Sequence, residues 1–170
     1  MRSSHALLLA FSLVTGSCVN PFSPRLENAD ILEDILGNPA TIEGFYTRFQ
    51  NAYQLRDTTL YGPLIAPEFI FTYRDPELNV DVSWGRAEEL NTTARLFATS
   101  RDVQLQWNNI SSFFQNEPKT RTQVIRRFNL MVMLDESTVY RTDGATNFIL
   151  TREDSTKAWQ LLSWRDESEL

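Results

Sequence analysis

The chain has 170 residues, of which 42% are hydrophobic, 12% aromatic and 22% charged, with a formal net charge of −6. That composition is globular and excludes a disordered, collagen-like or disulfide-stapled chain, and a single cysteine excludes both an internal disulfide and a cysteine-cluster metal site. An isoelectric point near 4.8 argues against a nucleic-acid partner, which would need a clustered basic face.

The N-terminus reads Met1-Arg2-Ser3-Ser4-His5, followed by the apolar run Ala6 to Val14, the residues Thr15-Gly16-Ser17, and Cys18. A short basic start, an apolar stretch and small residues make an export signal. The run is too short to span a bilayer, which takes about 20 apolar residues, and no later run approaches that length. With the only cysteine directly after Gly16-Ser17, the segment resembles a bacterial lipobox, although Thr15 stands where leucine is usual. The resemblance implies cleavage before Cys18, lipidation of its sulfur and attachment to a membrane. Val19 at the next position, rather than aspartate, implies an outer-membrane lipoprotein of the bacterial cell envelope facing the periplasm. A plain secretory signal that leaves Cys18 as a spare thiol is the alternative. The expected organisation is a signal peptide over 1–17, a lipidated tether over 18–27 and a single domain over 28–170. Cleavage removes 17 residues and one charge, Arg2, leaving 153 residues at a net −7. It also removes His5, the only histidine.

Asn28 is placed to cap a short helix carrying Ile31, Leu32, Ile35 and Leu36, with Gly37 as its stop. Pro39 and Thr41 open a second helix in which Ile42, Phe45, Phe49, Ala52 and Tyr53 recur at helical spacing, ending near Arg56-Asp57. Asp57 caps a following turn from Thr58 to Leu64, where Pro63 and Pro67 limit helix length. Phe69 to Tyr73 and Val80 to Trp84 read as strands about a turn at Arg74 to Glu77. Arg86 to Ala98 reads as a helix with Ala87, Leu90, Ala94 and Phe97 on one stripe. Val103, Leu105 and Trp107 alternate with glutamines as a half-buried strand. Val124 to Leu134, Thr138 to Arg152 and Lys157 to Arg165 complete the strands, with a turn or bulge expected at Asp143-Gly144.

Helices followed by long alternating strands make an α+β fold, with N-terminal helices packed on a strongly bent antiparallel sheet. The order of elements resembles the NTF2-like superfamily, including its SnoaL-like members. The run Phe49 to Asp57, followed by Tyr61 and by Pro67-Glu68-Phe69-Ile70-Phe71, is similar to the opening of many bacterial members. Ala158 to Glu167 is similar to their last strand, and the resemblance covers Pro39 to Glu167. It implies a cone in which the sheet wraps a long helix and leaves an apolar pocket at its wide end. The superfamily contains isomerases, dehydratases, transport factors and non-catalytic domains, so function has to come from residues.

Most aromatics fall on positions expected to face inward and serve first as core. The candidates for lining a ligand pocket are Phe49, Tyr53, Tyr61, Trp84, Trp107, Phe128 and Trp159. An isomerase or cyclase would need a buried carboxylate beside a tyrosine. Asp57 is explained by capping, Asp75, Asp81, Asp143 and Asp154 lie beside turns, and Asp166 ends the last strand with its direction open. Loss of His5 leaves no histidine for dehydratase, serine-hydrolase or metal chemistry, so neither metal nor cofactor is expected. Arg126 shares its alternation with Phe128 and Leu130, which makes it the arginine expected to be buried against an acid. The favoured reading is a non-catalytic envelope lipoprotein binding a small apolar ligand or a protein partner. A SnoaL-like isomerase, cyclase or hydrolase with an Asp/Tyr pair in the cone is one alternative. Homodimeric assembly through a sheet face of Ile125, Met131, Met133 and Trp164 is the other.

Overall fold

The computed structural model describes residues 35–167, so the signal segment, Cys18, the tether and most of the first expected helix lie outside the described residues. Ile35 and Leu36 are helical, and Gly37 follows in the left-handed region at φ 86°. Helix α1 (Ile42–Leu55) starts where the Thr41 hydroxyl accepts a hydrogen bond from the Gly44 N–H, and ends at Arg56, whose φ of 54° turns the chain out of the helix. Its inward stripe is Phe45, Phe49, Ala52 and Tyr53, at the i, i+4, i+7, i+8 spacing that puts four side chains on one face. Asp57 caps the short α2 (Thr58–Tyr61) by accepting from the N–H groups of Thr59 and Leu60, and a 3-10 turn over Gly62–Leu64 leads into the sheet.

The strands are β1 (Ile65–Asp75), β2 (Val80–Gly85), β3 (Asp102–Gln115), β4 (Arg121–Met133), β5 (Val139–Thr151) and β6 (Gln160–Asp166), with α3 (Arg86–Thr99) between β2 and β3. They form one open sheet in the order β2-β1-β6-β5-β4-β3. The fold is α+β as expected, but the sheet is mixed rather than wholly antiparallel. The β1–β2 hairpin and the β3 to β6 meander are each antiparallel, and they join through a parallel pairing of β1 with β6. No turn forms at Asp143-Gly144. Strand β5 runs straight through, pairing Asp143 with Asn129 and Gly144 with Phe128. Strand β3 also continues past Trp107 to Gln115. Among the described residues no helix is long and apolar enough to cross a membrane.

The sheet is concave toward α1. Strands β3 and β5 are separated by β4, about 10 Å apart in a flat sheet, yet the rings of Trp107 and Phe148 on them lie 5.8 Å apart. Shifts of register within β3 and β6 supply local bends. Phe49 of α1 sits in the concavity, with its ring 5.6 Å from Phe148, 5.6 Å from Trp107 and 6.0 Å from Trp164. Rings of this size bury large areas and hold the helix in the sheet.

Trp164 corrects the expected outer face. Leu150 pairs with Leu161, but Ile149 pairs with Ser163, so Leu162 is an extra residue that reverses the alternation of β6. Trp164 and Asp166 therefore turn to the concave side, where both line a cavity. Ile125, Met131 and Met133 are half-buried. Arg126 lies on the inner alternation of β4. Its side chain is 14% exposed, pairs with Glu43 at 2.9 Å and crosses the Tyr46 ring at 4.7 Å.

Candidate functional site

A half-open cavity of about 370 Å³ lies between α1, α3 and the concave sheet. Of the seven aromatics expected to line a pocket, Phe49, Tyr53, Trp84, Trp107 and Phe128 stand in its wall. The other two do not. Tyr61 is buried behind the wall among Phe49, Tyr53 and Phe97. Trp159 is fully buried at a different place, beneath the Arg152 guanidinium at 4.0 Å, where its backbone N–H donates to the Pro39 carbonyl. Trp164 joins the wall through the β6 bulge, and Phe71 stacks under Trp84 with ring centroids 4.2 Å apart.

The polar centre of the cavity is Glu89, in the first turn of α3 and only 4% exposed. Its Oε1 accepts from the Tyr61 hydroxyl at 2.6 Å and the Thr93 hydroxyl at 3.1 Å, and its Oε2 accepts from the Trp84 indole N–H at 2.8 Å. Donors from α2, β2 and α3 thus converge on one carboxylate. Of the three, the Trp84 indole N–H can only donate, so Oε2 has to accept it. Burial pushes the Tyr53 and Tyr61 hydroxyls well above their ordinary range, and the negative charge of Glu89 adds to it. Both phenols stay neutral.

Reading α3 for apolar spacing missed this residue. The expected stripe ran through Ala87, Leu90, Ala94 and Phe97, whereas the fully buried stripe is Glu89, Thr93 and Phe97. The signal was present in the spacing, since a glutamate and a threonine eight and four residues ahead of a core phenylalanine share its face. Asp166, whose direction the sequence left open, stands in the wall, as do Thr142 and Thr146. Among the described residues the wall carries two carboxylates and no lysine, arginine or histidine. Trp107 has its indole N–H committed to the Tyr46 carbonyl at 3.0 Å, whereas the buried Trp164 indole N–H has no hydrogen-bond partner among the described residues. Among those residues no three His, Cys, Asp or Glu side chains gather to hold a metal ion.

No protein-family model matches the sequence, and no curated protein is significantly similar to it. Solved structures are similar in fold. A candidate scytalone dehydratase from Novosphingobium aromaticivorans superposes with a TM-score of 0.63 at 13% identity, over 84% of this chain and 88% of the other. A candidate dehydratase of the NTF2-like family from Streptomyces avermitilis gives 0.57 at 16% identity, over 76% and 94%. An NTF2-like protein of unknown function in nutrient uptake from Rhodospirillum rubrum gives 0.60 at 13% identity, over 76% and 99%. At these identities the likeness is one of fold, and the fold is NTF2-like.

Proposed function

We propose that the chain is a cell-envelope lipoprotein, held to a membrane through Cys18, whose cone binds a small, largely apolar molecule without transforming it. The observation that carries this reading is the aromatic cavity of about 370 Å³, which falls in the size range of small-molecule sites. The state of its most buried acid supports binding over catalysis. Glu89 is held by three donors of the protein itself, and its tyrosine partner, Tyr61, lies behind the wall rather than at it. A carboxylate clamped in this way orients the wall. It is not poised to take a proton from a substrate.

Asp166 favours a second reading. It is an acid at the wall of an apolar cavity, the position a general base takes, and two of the fold neighbours carry dehydratase names. In that reading Asp166 removes a proton from a substrate carbon or hydroxyl, and a wall donor such as Tyr53 steadies the developing oxyanion.

Calorimetry with indole, a neutral one-ring probe, tests the cavity. Binding is expected in the unmodified chain and is expected to be lost when Thr142→Phe fills the wall. Equal binding by both would place the probe elsewhere and remove the basis of the reading. Mass spectrometry of molecules retained by protein from its own host separates binder from enzyme. Recovery of one compound unchanged after prolonged incubation supports a binder, and its conversion, abolished by Asp166→Asn, supports the second reading. For the anchor, Cys18→Ser is expected to move the protein from the membrane to the soluble fraction.

A further inference from the structure

Strand β3 is an edge of the sheet, and its two halves differ. Its first half lies against α1, where the Gln54 amide donates to the Leu105 carbonyl and the Trp107 indole N–H to the Tyr46 carbonyl. From Asn109 to Phe114 every residue is exposed. A strand of a packed sheet ordinarily buries at least one of its two faces. Here Phe113 pairs with Val124 and Phe114 with Gln123, so the two rings stand on opposite faces of the β3–β4 hairpin, and they are 52% and 67% exposed. Asn116 shapes the tip of this arm, its side-chain oxygen accepting from the N–H groups of Thr120 and Arg121.

Two further observations bear on what the arm meets. Between Asn109 and Arg121 the charges are Lys119 and Arg121 against Glu117, an excess of one positive charge in a chain of net −6. The chain also enters the fold beside the tip, because Arg152 donates both to the Lys119 carbonyl at 2.8 Å and to the Ala40 carbonyl at 3.0 Å. The segment that leads back to Cys18 therefore joins the described fold at the end where the arm projects. Exposed rings beside basic side chains suit the boundary between acyl chains and anionic headgroups, where rings leave water and the cations meet opposite charge.

We infer that the β3–β4 arm is a second membrane contact, with Phe113 and Phe114 entering the surface of a bilayer and Lys119 and Arg121 facing anionic headgroups. This extends the membrane attachment proposed above, on which it rests for the direction of the tether, but it draws on different residues.

Hydrogen exchange read by mass spectrometry on the full, unlipidated chain tests it. Vesicles of phosphatidylcholine and phosphatidylglycerol in equal parts are expected to slow exchange severalfold in peptides spanning 109–121, and vesicles of phosphatidylcholine alone to slow it less. Phe113→Ser combined with Phe114→Ser is expected to erase the protection while leaving the melting temperature unchanged, since both rings are exposed. Absence of protection at the arm, including protection confined to the apolar run 6–14, overturns the inference, as does equal protection by the two kinds of vesicle. Protection that appears without vesicles and grows with protein concentration overturns it in favour of a second copy of the chain on the open edge. Because no lipid is attached in this experiment, its failure leaves standing both the anchor, which Cys18→Ser tests, and the cavity, which indole tests.

Discussion

At the residue scale the molecule turns on Glu89, a carboxylate that a chain buries only when donors are ready for it. The three donors differ in kind, and that difference makes the site testable. The hydroxyls of Tyr61 and Thr93 can reverse and accept, but the Trp84 indole N–H can only donate. Glu89→Gln therefore keeps an oxygen for Trp84 while its amide turns toward the hydroxyls, and is expected to lose about 1 kcal/mol. Glu89→Leu strands all three donors and is expected to cost roughly 3 kcal/mol in chemical denaturation. Equal stability of the two variants would show that the donors find water instead. The phenols around the same acid set an alkaline limit. Tyr46, Tyr53 and Tyr61 all hold their protons more tightly folded than unfolded, chiefly through burial. Their contribution to stability is complete below the ordinary tyrosine value of 10.0 and is lost as the pH rises beyond it. Absorbance of their tyrosinates should then appear above pH 10.0 in one stage that coincides with loss of the far-ultraviolet signal. A single stage preceding unfolding would contradict their burial.

At the scale of elements, the sequence was legible in α1 and α2. The N-cap at Thr41, the cap at Asp57 and the aromatic stripe of α1 all follow from residue type and spacing, and the structure has each of them. Single-residue irregularities were not legible. One extra residue at Leu162 brings Trp164 and Asp166 to the concave side, and nothing in a polar-apolar alternation announces an insertion of one. Close packing of backbones is equally silent in the sequence. A side chain at Gly44 would place its first carbon 1.9 Å from the carbonyl oxygen of Asn38, and one at Gly37 would lie 2.8 Å from the Gly44 α-carbon. These glycines let the segment entering α1 lie on the helix, where Arg48 and Asn51 hold the carbonyls of Gly37 and Ile35. Gly44→Ala must push that segment away, since the obstructing atoms are backbone, and is expected to cost about 1–3 kcal/mol. Limited proteolysis should show new cleavage between residues 35 and 41. A variant with unchanged melting and no new cleavage would show that the segment has room to shift.

At the scale of the whole molecule, the fold was legible because helices followed by alternating strands have few ways to bury one face each, but the cavity was not. A cavity is a shortfall between the volume of the rings and the curvature of the sheet, and no single residue encodes that difference. The aromatic count suggested one, and five of the seven chosen rings stand in the wall; its two acids came from an unread helix face and an unread bulge. The same separation of roles appears in the response to acid. The carboxylates that hold their protons most weakly are at turns and strand ends, away from the cavity. Asp135 is held down to about 2, first by the Ser137 hydroxyl and then by the N–H groups of Ser137 and Thr138. Asp57, Asp81 and Asp154 are also lowered, by Thr59, by Arg74 and Arg165, and by Thr156. A carboxyl that binds its proton more weakly in the fold stabilises the fold above its ordinary value of 3.8 and ceases to do so as the pH falls through its folded value. The melting temperature should accordingly decline as the pH drops from 3.8 toward 2, the span set by Asp135. Asp135→Asn should flatten that decline by its own share while leaving the binding of indole at neutral pH unchanged. An undiminished slope in this variant would show that Asp135 is not a source of the acid response.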